Sequence, residues 1–133
     1  MKIVTIGAVT KDLFLRSDAL PTIEQKTDLG ELQQFLAIAY GSKINLTSLA
    51  TGYGGGALNS GISFNRAGYD VTCYSRMGND QIGSEIRNWL LHHAITAEQV
   101  TIDPTLPSAQ SFILPCANND RIIFTYRGAY KSV

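Results

Sequence analysis

The residues best placed to do chemistry are three consecutive glycines followed closely by an asparagine: Gly54-Gly55-Gly56-Ala57-Leu58-Asn59. Glycine loses more conformational freedom on folding than any other residue, so a run of three needs a physical reason. One reason is close approach of a ligand to the backbone at a helix N-terminus, where N–H groups lacking intrahelical partners point outward. Asn59, on the first helical turn, adds an amide that both donates and accepts hydrogen bonds. Such an array suits a polyhydroxylated molecule better than a bare anion. The competing reading is a flexible surface turn ahead of a helix, and on spacing alone the two weigh equally. No Gly-Lys-Ser/Thr follows the run, which disfavours a nucleotide P-loop, and the GxGxxG spacing of dinucleotide-binding folds is also missing.

The elements that must position this run follow from hydrophobic patterning. Residues 3–6 form a short β-branched apolar run that reads as a buried strand, and residues 12–16 alternate as a half-exposed one. Residues 17–33 are mixed and polar, with Pro21 and Gly30 as breakers, and predict a loop with little regular structure. Residues 35–40 are a further strand candidate, and the glycines oppose regular structure up to about Gly56. From Ala57 the spacing of Leu58, Ile62 and Ala67 predicts a helix, with Gly68 as its C′ residue. Residues 71–75 predict a strand. Asp80 is placed to cap a second helix carrying Ile82, Ile86, Trp89, Leu90 and His93, and residues 100–102 give a brief extended piece. Residues 110–114 and 121–126 flank Asn118-Asn119-Asp120 as a hairpin. The helix-linked strands belong in a parallel α/β sheet, whereas the early strands and the late hairpin could pair as a small separate sheet.

Bulk properties exclude several classes of function. The 133 residues suffice for one domain, and 44% apolar with 17% charged residues is an ordinary globular composition. Eleven basic residues balance eleven acidic ones, leaving no electrostatic footprint for nucleic acid or an anionic membrane. No stretch approaches a membrane span, and the N-terminus lacks the long apolar core of a signal peptide, so the expectation is cytoplasmic. Cys73 and Cys116 sit in apolar runs without a CxxC and read as buried structural thiols. His92 and His93 lack partners at metal or catalytic spacing, and Trp89 belongs to the apolar stripe of its helix.

The stretch from Gly54 to Gly83, GGGALNSGISFNRAGYDVTCYSRMGNDQIG, resembles the N-terminal signature of the ribokinase-like (PfkB-type) carbohydrate kinases. That family has a di-glycine and an Asn at this spacing, then a helix ending in an Ala-Gly or Leu-Gly pair. A strand and a G-x-D-x-x-G turn follow, matched here by Gly78, Asp80 and Gly83. Residues 107–111 stand where the family often has T-G-x-S, and Asn119-Asp120-Arg121 where it often has G-E-R. Tyr126-Arg127-Gly128-Ala129 looks like the end of the second lid strand.

The resemblance implies an α/β fold: part of a ribokinase-like, Rossmann-type core (about residues 1–9 and 53–103) with a small β-sheet lid (about 12–50 and 108–127). It implies transfer of the ATP γ-phosphoryl group to a hydroxyl of a sugar or sugar acid, with Mg²⁺. By the same likeness Asp12 binds sugar hydroxyls, and Gly54, Gly55, Gly56 and Asn59 contact the same substrate. Arg127 falls where kinases of 2-keto-3-deoxygluconate pair an Arg with a carboxylate, though a solvated lid-strand Arg is the alternative. Thr10 and Tyr130 stand where many members have Asn. The G-A-G-D motif that supplies the family's catalytic Asp and anion hole is not in these 133 residues. The chain is therefore expected to be an N-terminal portion with no catalytic residue of its own, holding neither ATP nor Mg²⁺ and inactive alone. Its expected partners are a sugar or sugar acid, a second copy through the lid sheet, or the missing C-terminal half. A stand-alone sugar-binding or dimerisation module and half of a nucleoside kinase are the alternatives.

Overall fold

A computed structural model describes residues 1–116 and 120–132. Three parallel strands form the inner sheet: β1 (Lys2–Ile6), β6 (Asp70–Gly78) and β7 (Val100–Asp103), in the order β1-β6-β7. Helices α1 (Gly56–Arg66) and α2 (Gln81–His92) make the crossovers between them. Val71, Cys73 and Met77, alternate residues of β6, are buried with Leu58 of α1 and Ile86 and Leu90 of α2 in one cluster. Both helices therefore cover the same sheet face, as right-handed crossovers in one direction require. Each fully buried Leu or Ile contributes roughly 1.5–3 kcal/mol. On the opposite face Val4, Ile6 and Tyr74 remain exposed.

The second sheet has the order β5-β2-β8-β9, with β2 (Thr10–Arg16), β5 (Ser48–Gly54), β8 (Gln110–Pro115) and β9 (Arg121–Tyr126). β2 pairs antiparallel with β5 and parallel with β8, and β8 and β9 form the late hairpin. The expected separate sheet thus forms from one of the two early strands and that hairpin, with β5 added at its edge. Asn118 and Asn119 of the expected turn lie outside the described residues.

Three local expectations differ from the structure. Residues 17–33 are not a plain loop: β3 (Thr22–Lys26) and β4 (Leu32–Leu36) form an antiparallel ladder. Pro21 and Gly30 bound this hairpin instead of breaking it. Gly30 takes φ +80° in its turn, and the Pro21 carbonyl accepts from Ala37 N–H. Its strands are exposed almost throughout, so no buried-face periodicity marked them. The strand expected over residues 35–40 keeps only Phe35 and Leu36. Finally, β5 runs as a regular strand through Gly52 to Gly54, because ladder hydrogen bonds to β2 need only backbone.

Several contacts tie the second sheet to the core. Lys11 of β2 pairs with Glu85 of α2, and that ammonium group holds the Glu85 carboxyl below its usual range. Tyr53 of β5 packs on Trp89, ring centroids 5.7 Å apart, and Trp89 stacks on His93 at 3.7 Å. Cys73 is buried, and that burial pushes its thiol pKa up, whereas Cys116 is only half-buried. No helix among the described residues is long and apolar enough to cross a membrane.

Candidate functional site

The site is built where the two sheets join. At the end of β1 the Ser75 hydroxyl donates to the Gly7 carbonyl (2.6 Å), and Gly7 N–H donates to the Tyr74 carbonyl. The following turn, Ala8 and Val9, lies directly under Gly55. A Cβ on Gly55 would lie 2.3 Å from the Ala8 carbonyl oxygen, and Gly55 has φ +98° and ψ 154°. Only glycine tolerates both the contact and the conformation. Gly55 is the N-cap of α1 without a capping side chain. The Ala57 N–H donates to the Ala8 carbonyl and the Asn59 N–H to the Gly55 carbonyl. Two of the first N–H groups expected to point outward are therefore occupied. Those of Gly56 and Leu58 have no acceptor among the described residues.

Asp12 lies half-buried on β2, paired with Gly52 across the ladder. Its carboxylate leans over Gly54: a Cβ there would lie 2.3 Å from Asp12 Oδ2. The Thr10 hydroxyl donates to Asp12 Oδ1 at 2.9 Å, so the position where many similar kinases have Asn still supplies a group that orients this carboxylate. Along β8, Ser111 pairs with Asp12. Asp12, Thr10 and the glycine run thus meet at one corner, with a carboxylate, a hydroxyl and open backbone N–H groups.

Asn59 is exposed on the first turn of α1, and its amide has no partner among the described residues. Arg127 is exposed one residue past the end of β9, also without an ion pair among the described residues. Thr125 pairs with Ser111 and so shares the face of Asp12; Arg127 is the next position in that alternation but lies beyond the strand. Asp80 does what its position predicts, accepting from Gly83 N–H at 2.8 Å as the cap of α2. It also accepts from the backbone and hydroxyl of Ser108, which anchors the chain entering β8 to the core. Thr10 and Phe14 share Asp12's face of β2, as the period-2 alternation of the strand requires.

Among the described residues no three His, Cys, Asp or Glu side chains could hold a metal ion together. The profile of the pfkB family of carbohydrate kinases matches residues 3–132. No curated protein matches the chain by sequence. Among solved structures, a ribokinase from Giardia lamblia superposes at TM-score 0.75 and 21% identity, over 96% of this chain and 36% of its own. An Arabidopsis thaliana ribokinase, solved with ribose and ATP, gives TM-score 0.71 and 18% identity, covering 95% of this chain and 36% of the other. A Burkholderia thailandensis nucleoside kinase, solved with inosine, gives 0.72 and 16%, covering 97% and 36%. The chain therefore spans a little over a third of the length of these structures. With residues 3–132 of the 133 inside the family profile, the chain belongs to the pfkB family of carbohydrate kinases.

Proposed function

We propose that this chain is the substrate-holding and lid portion of an ATP-dependent kinase that phosphorylates a hydroxyl of a sugar or sugar acid. The observation that carries this reading is the Asp12 carboxylate, held by Thr10 and leaning over Gly54 beside the N-terminus of α1. A carboxylate accepts hydrogen bonds from hydroxyls, while open N–H groups and an amide donate to hydroxyl oxygens. In this reading Asp12, Gly54, Gly55, Gly56 and Asn59 hold the substrate, and Arg127 pairs with a carboxylate if it has one. ATP, Mg²⁺ and the proton acceptor lie outside these 133 residues, so the chain alone transfers no phosphoryl group. An Arabidopsis ribokinase solved with ribose and ATP supports the pairing of a sugar with ATP in this reading.

The test is a coupled ATPase screen over sugars and sugar acids with the full-length protein. Asn59→Ala is expected to raise KM and lower kcat together, about tenfold in kcat/KM, because binding and positioning both suffer. Asp12→Ala is expected to cost at least as much. Unchanged kinetics in either variant would remove that residue from the site.

The reading includes a homodimer through the second sheet. The face opposite Asp12 carries Leu13, Leu15, Leu49, Phe112, Phe124 and Tyr126, of which the last four are 62%, 39%, 57% and 47% exposed. Soluble monomers seldom leave such a contiguous apolar face in water. Sedimentation velocity is expected to show a dimer, and Phe124→Lys a monomer; a wild-type monomer at micromolar concentration would refute the interface.

A further inference from the structure

The second sheet meets the core at two close backbone approaches. One is Gly55 against Ala8. The other is Gly128, where φ is +51° and an added Cβ would lie 2.2 Å from the Pro107 carbonyl oxygen. Ala129 N–H donates to that same carbonyl at 2.8 Å, and the neighbouring Ser108 is bound to Asp80. Two fixed places define a line, and rotation of the sheet about that line is the freedom they leave. The contacts that resist such rotation come from side chains of α2.

Lys11 of β2 and Tyr53 of β5 are partners across the ladder, so their side chains share one face. Both rest on α2: Lys11 pairs with Glu85, and Tyr53 packs on Trp89 about one turn further along. Gln81 Nε2 donates to Glu85 Oε1 at 3.0 Å, which leaves Oε2 for Lys11. At 1.5 Å per residue, Glu85 and Trp89 stand about 7.5 and about 13.5 Å along the helix from Asp80. They therefore hold the sheet away from its Ser108 attachment. Of the two ion pairs among the described residues, Arg76–Asp103 lies within the inner sheet, and Lys11–Glu85 is the one that joins the second sheet to the core. Its side chains are 20% and 28% exposed, so the pair is partly shielded from salt.

What these contacts fix lies one residue away. Asp12 follows Lys11 and Gly54 follows Tyr53, and alternation turns each to the opposite face. Any shift of Lys11 and Tyr53 on α2 carries the Asp12 carboxylate and the Gly54 backbone with it, because all four belong to one ladder. The helix α1 stays with the core, where Leu58 is packed. We infer that Glu85 is a positioning residue: acting through Lys11, it sets where Asp12 stands relative to the N-terminus of α1, and so tunes affinity for a hydroxyl-bearing substrate that it does not touch. This rests on the reading of Asp12 as a substrate ligand.

The test is steady-state kinetics of the full-length protein with D-ribose and with 2-keto-3-deoxygluconate as acceptors, beside hydrogen exchange of the unliganded protein. The variants are Glu85→Gln, Lys11→Met, the two combined, and Asp12→Ala. Glu85→Gln keeps size and an acceptor for Gln81. It is expected to raise the acceptor KM about threefold to fivefold with the KM for ATP unchanged, the range open to one ion pair of this exposure. The combined variant should be no worse than either single one, since both remove the same contact. Added salt should raise the acceptor KM of the wild type but not that of Glu85→Gln. Backbone amides of residues 10–16 and 48–54 should exchange about threefold faster in Glu85→Gln, with those of β6 unchanged. An unchanged acceptor KM overturns the proposal even if exchange quickens, because the pair would then be merely structural. Additive losses in the combined variant overturn it too. If Asp12→Ala keeps wild-type kinetics, the reading of Asp12 falls, and the route through its carboxylate with it. If the wild type turns over neither acceptor, that substrate reading falls and exchange decides alone: faster exchange in the two strands supports the positioning, and unchanged exchange overturns it.

Discussion

Gly55→Ala is expected to destabilise the fold severely, whereas the same substitution one residue later is expected to be neutral or slightly stabilising. At Gly55 the new Cβ would sit 2.3 Å from the Ala8 carbonyl oxygen and 2.6 Å from its carbon. Both are backbone atoms, held in place by the Ser75 and Ala57 hydrogen bonds, so no side-chain rotation relieves the clash. The φ of +98° adds strain of about 1–3 kcal/mol for any residue with a Cβ. Moving the β1–β2 turn as well brings the expected loss to at least about 3 kcal/mol, a large part of the roughly 5–15 kcal/mol that holds a domain folded. At Gly56 a Cβ meets nothing within 4 Å and φ is ordinary. Alanine there should stabilise by about 0.4–1 kcal/mol, through the unfolded chain and helix propensity. Gly54→Ala is the intermediate case. Its Cβ meets the Asp12 carboxylate, a movable group, so stability should fall by about 1 kcal/mol while substrate affinity falls much further. Urea unfolding of the three variants checks the order; equal stability of Gly55→Ala and Gly56→Ala would refute the close approach to Ala8.

Asp80→Ala is expected to lower stability by about 2–4 kcal/mol and to loosen the second sheet from the core. Part is the lost helix cap, about 1 kcal/mol. The rest comes from Ser108, which is fully buried and would keep an N–H and a hydroxyl without an acceptor, at about 1–3 kcal/mol. Burial alone would raise the Asp80 pKa, but the Ser108 hydroxyl, the Ser108 N–H and the Gly83 N–H together hold it below the usual range. Asp103 is lowered to about 2 by the N–H groups of Leu106 and Thr105, then the Thr105 hydroxyl, with Arg76 assisting at 3.0 Å. In both cases the folded pKa lies below the unfolded one. Their stabilisation is therefore complete above the unfolded value near about 4, and is lost as pH falls through the lowered values. Melting temperatures measured between pH 7 and pH 2 should fall along this limb, less steeply in Asp80→Ala. A variant as stable as wild type, with the same acid limb, would show that Asp80 does not tie α2 to β8.

The glycine run shows how far a sequence reading carries. Three glycines before a helix suggested close approach of a ligand, and what the structure shows at Gly55 is close approach of the chain's own backbone at Ala8. Which glycine touches what is invisible in the chain itself: Gly55 meets backbone eight residues from the N-terminus, Gly54 meets a carboxylate on β2, and Gly56 meets nothing. The β3–β4 hairpin was missed for a different reason. Neither of its strands buries a face, so it carries no period-2 signal of the kind that marked β2.

By itself the sequence determined the local elements whose residues face a core or cap a helix, such as α1 with Gly68 at its C-terminus and α2 under Asp80. These depend on neighbours within a turn or two, so local pattern suffices. It also carried the family likeness, because the Gly54–Asn59 and Gly78–Gly83 spacings lie within single stretches of chain. Only the tertiary structure decided that Asp12 leans over Gly54, that Phe14 shares its face, and that Ser108 closes on Asp80. Those pairs are separated by 42, 2 and 28 residues along the chain. Even the pair two residues apart acquires its meaning from β5, whose bare glycines leave room for a carboxylate and a ring on one side of one sheet.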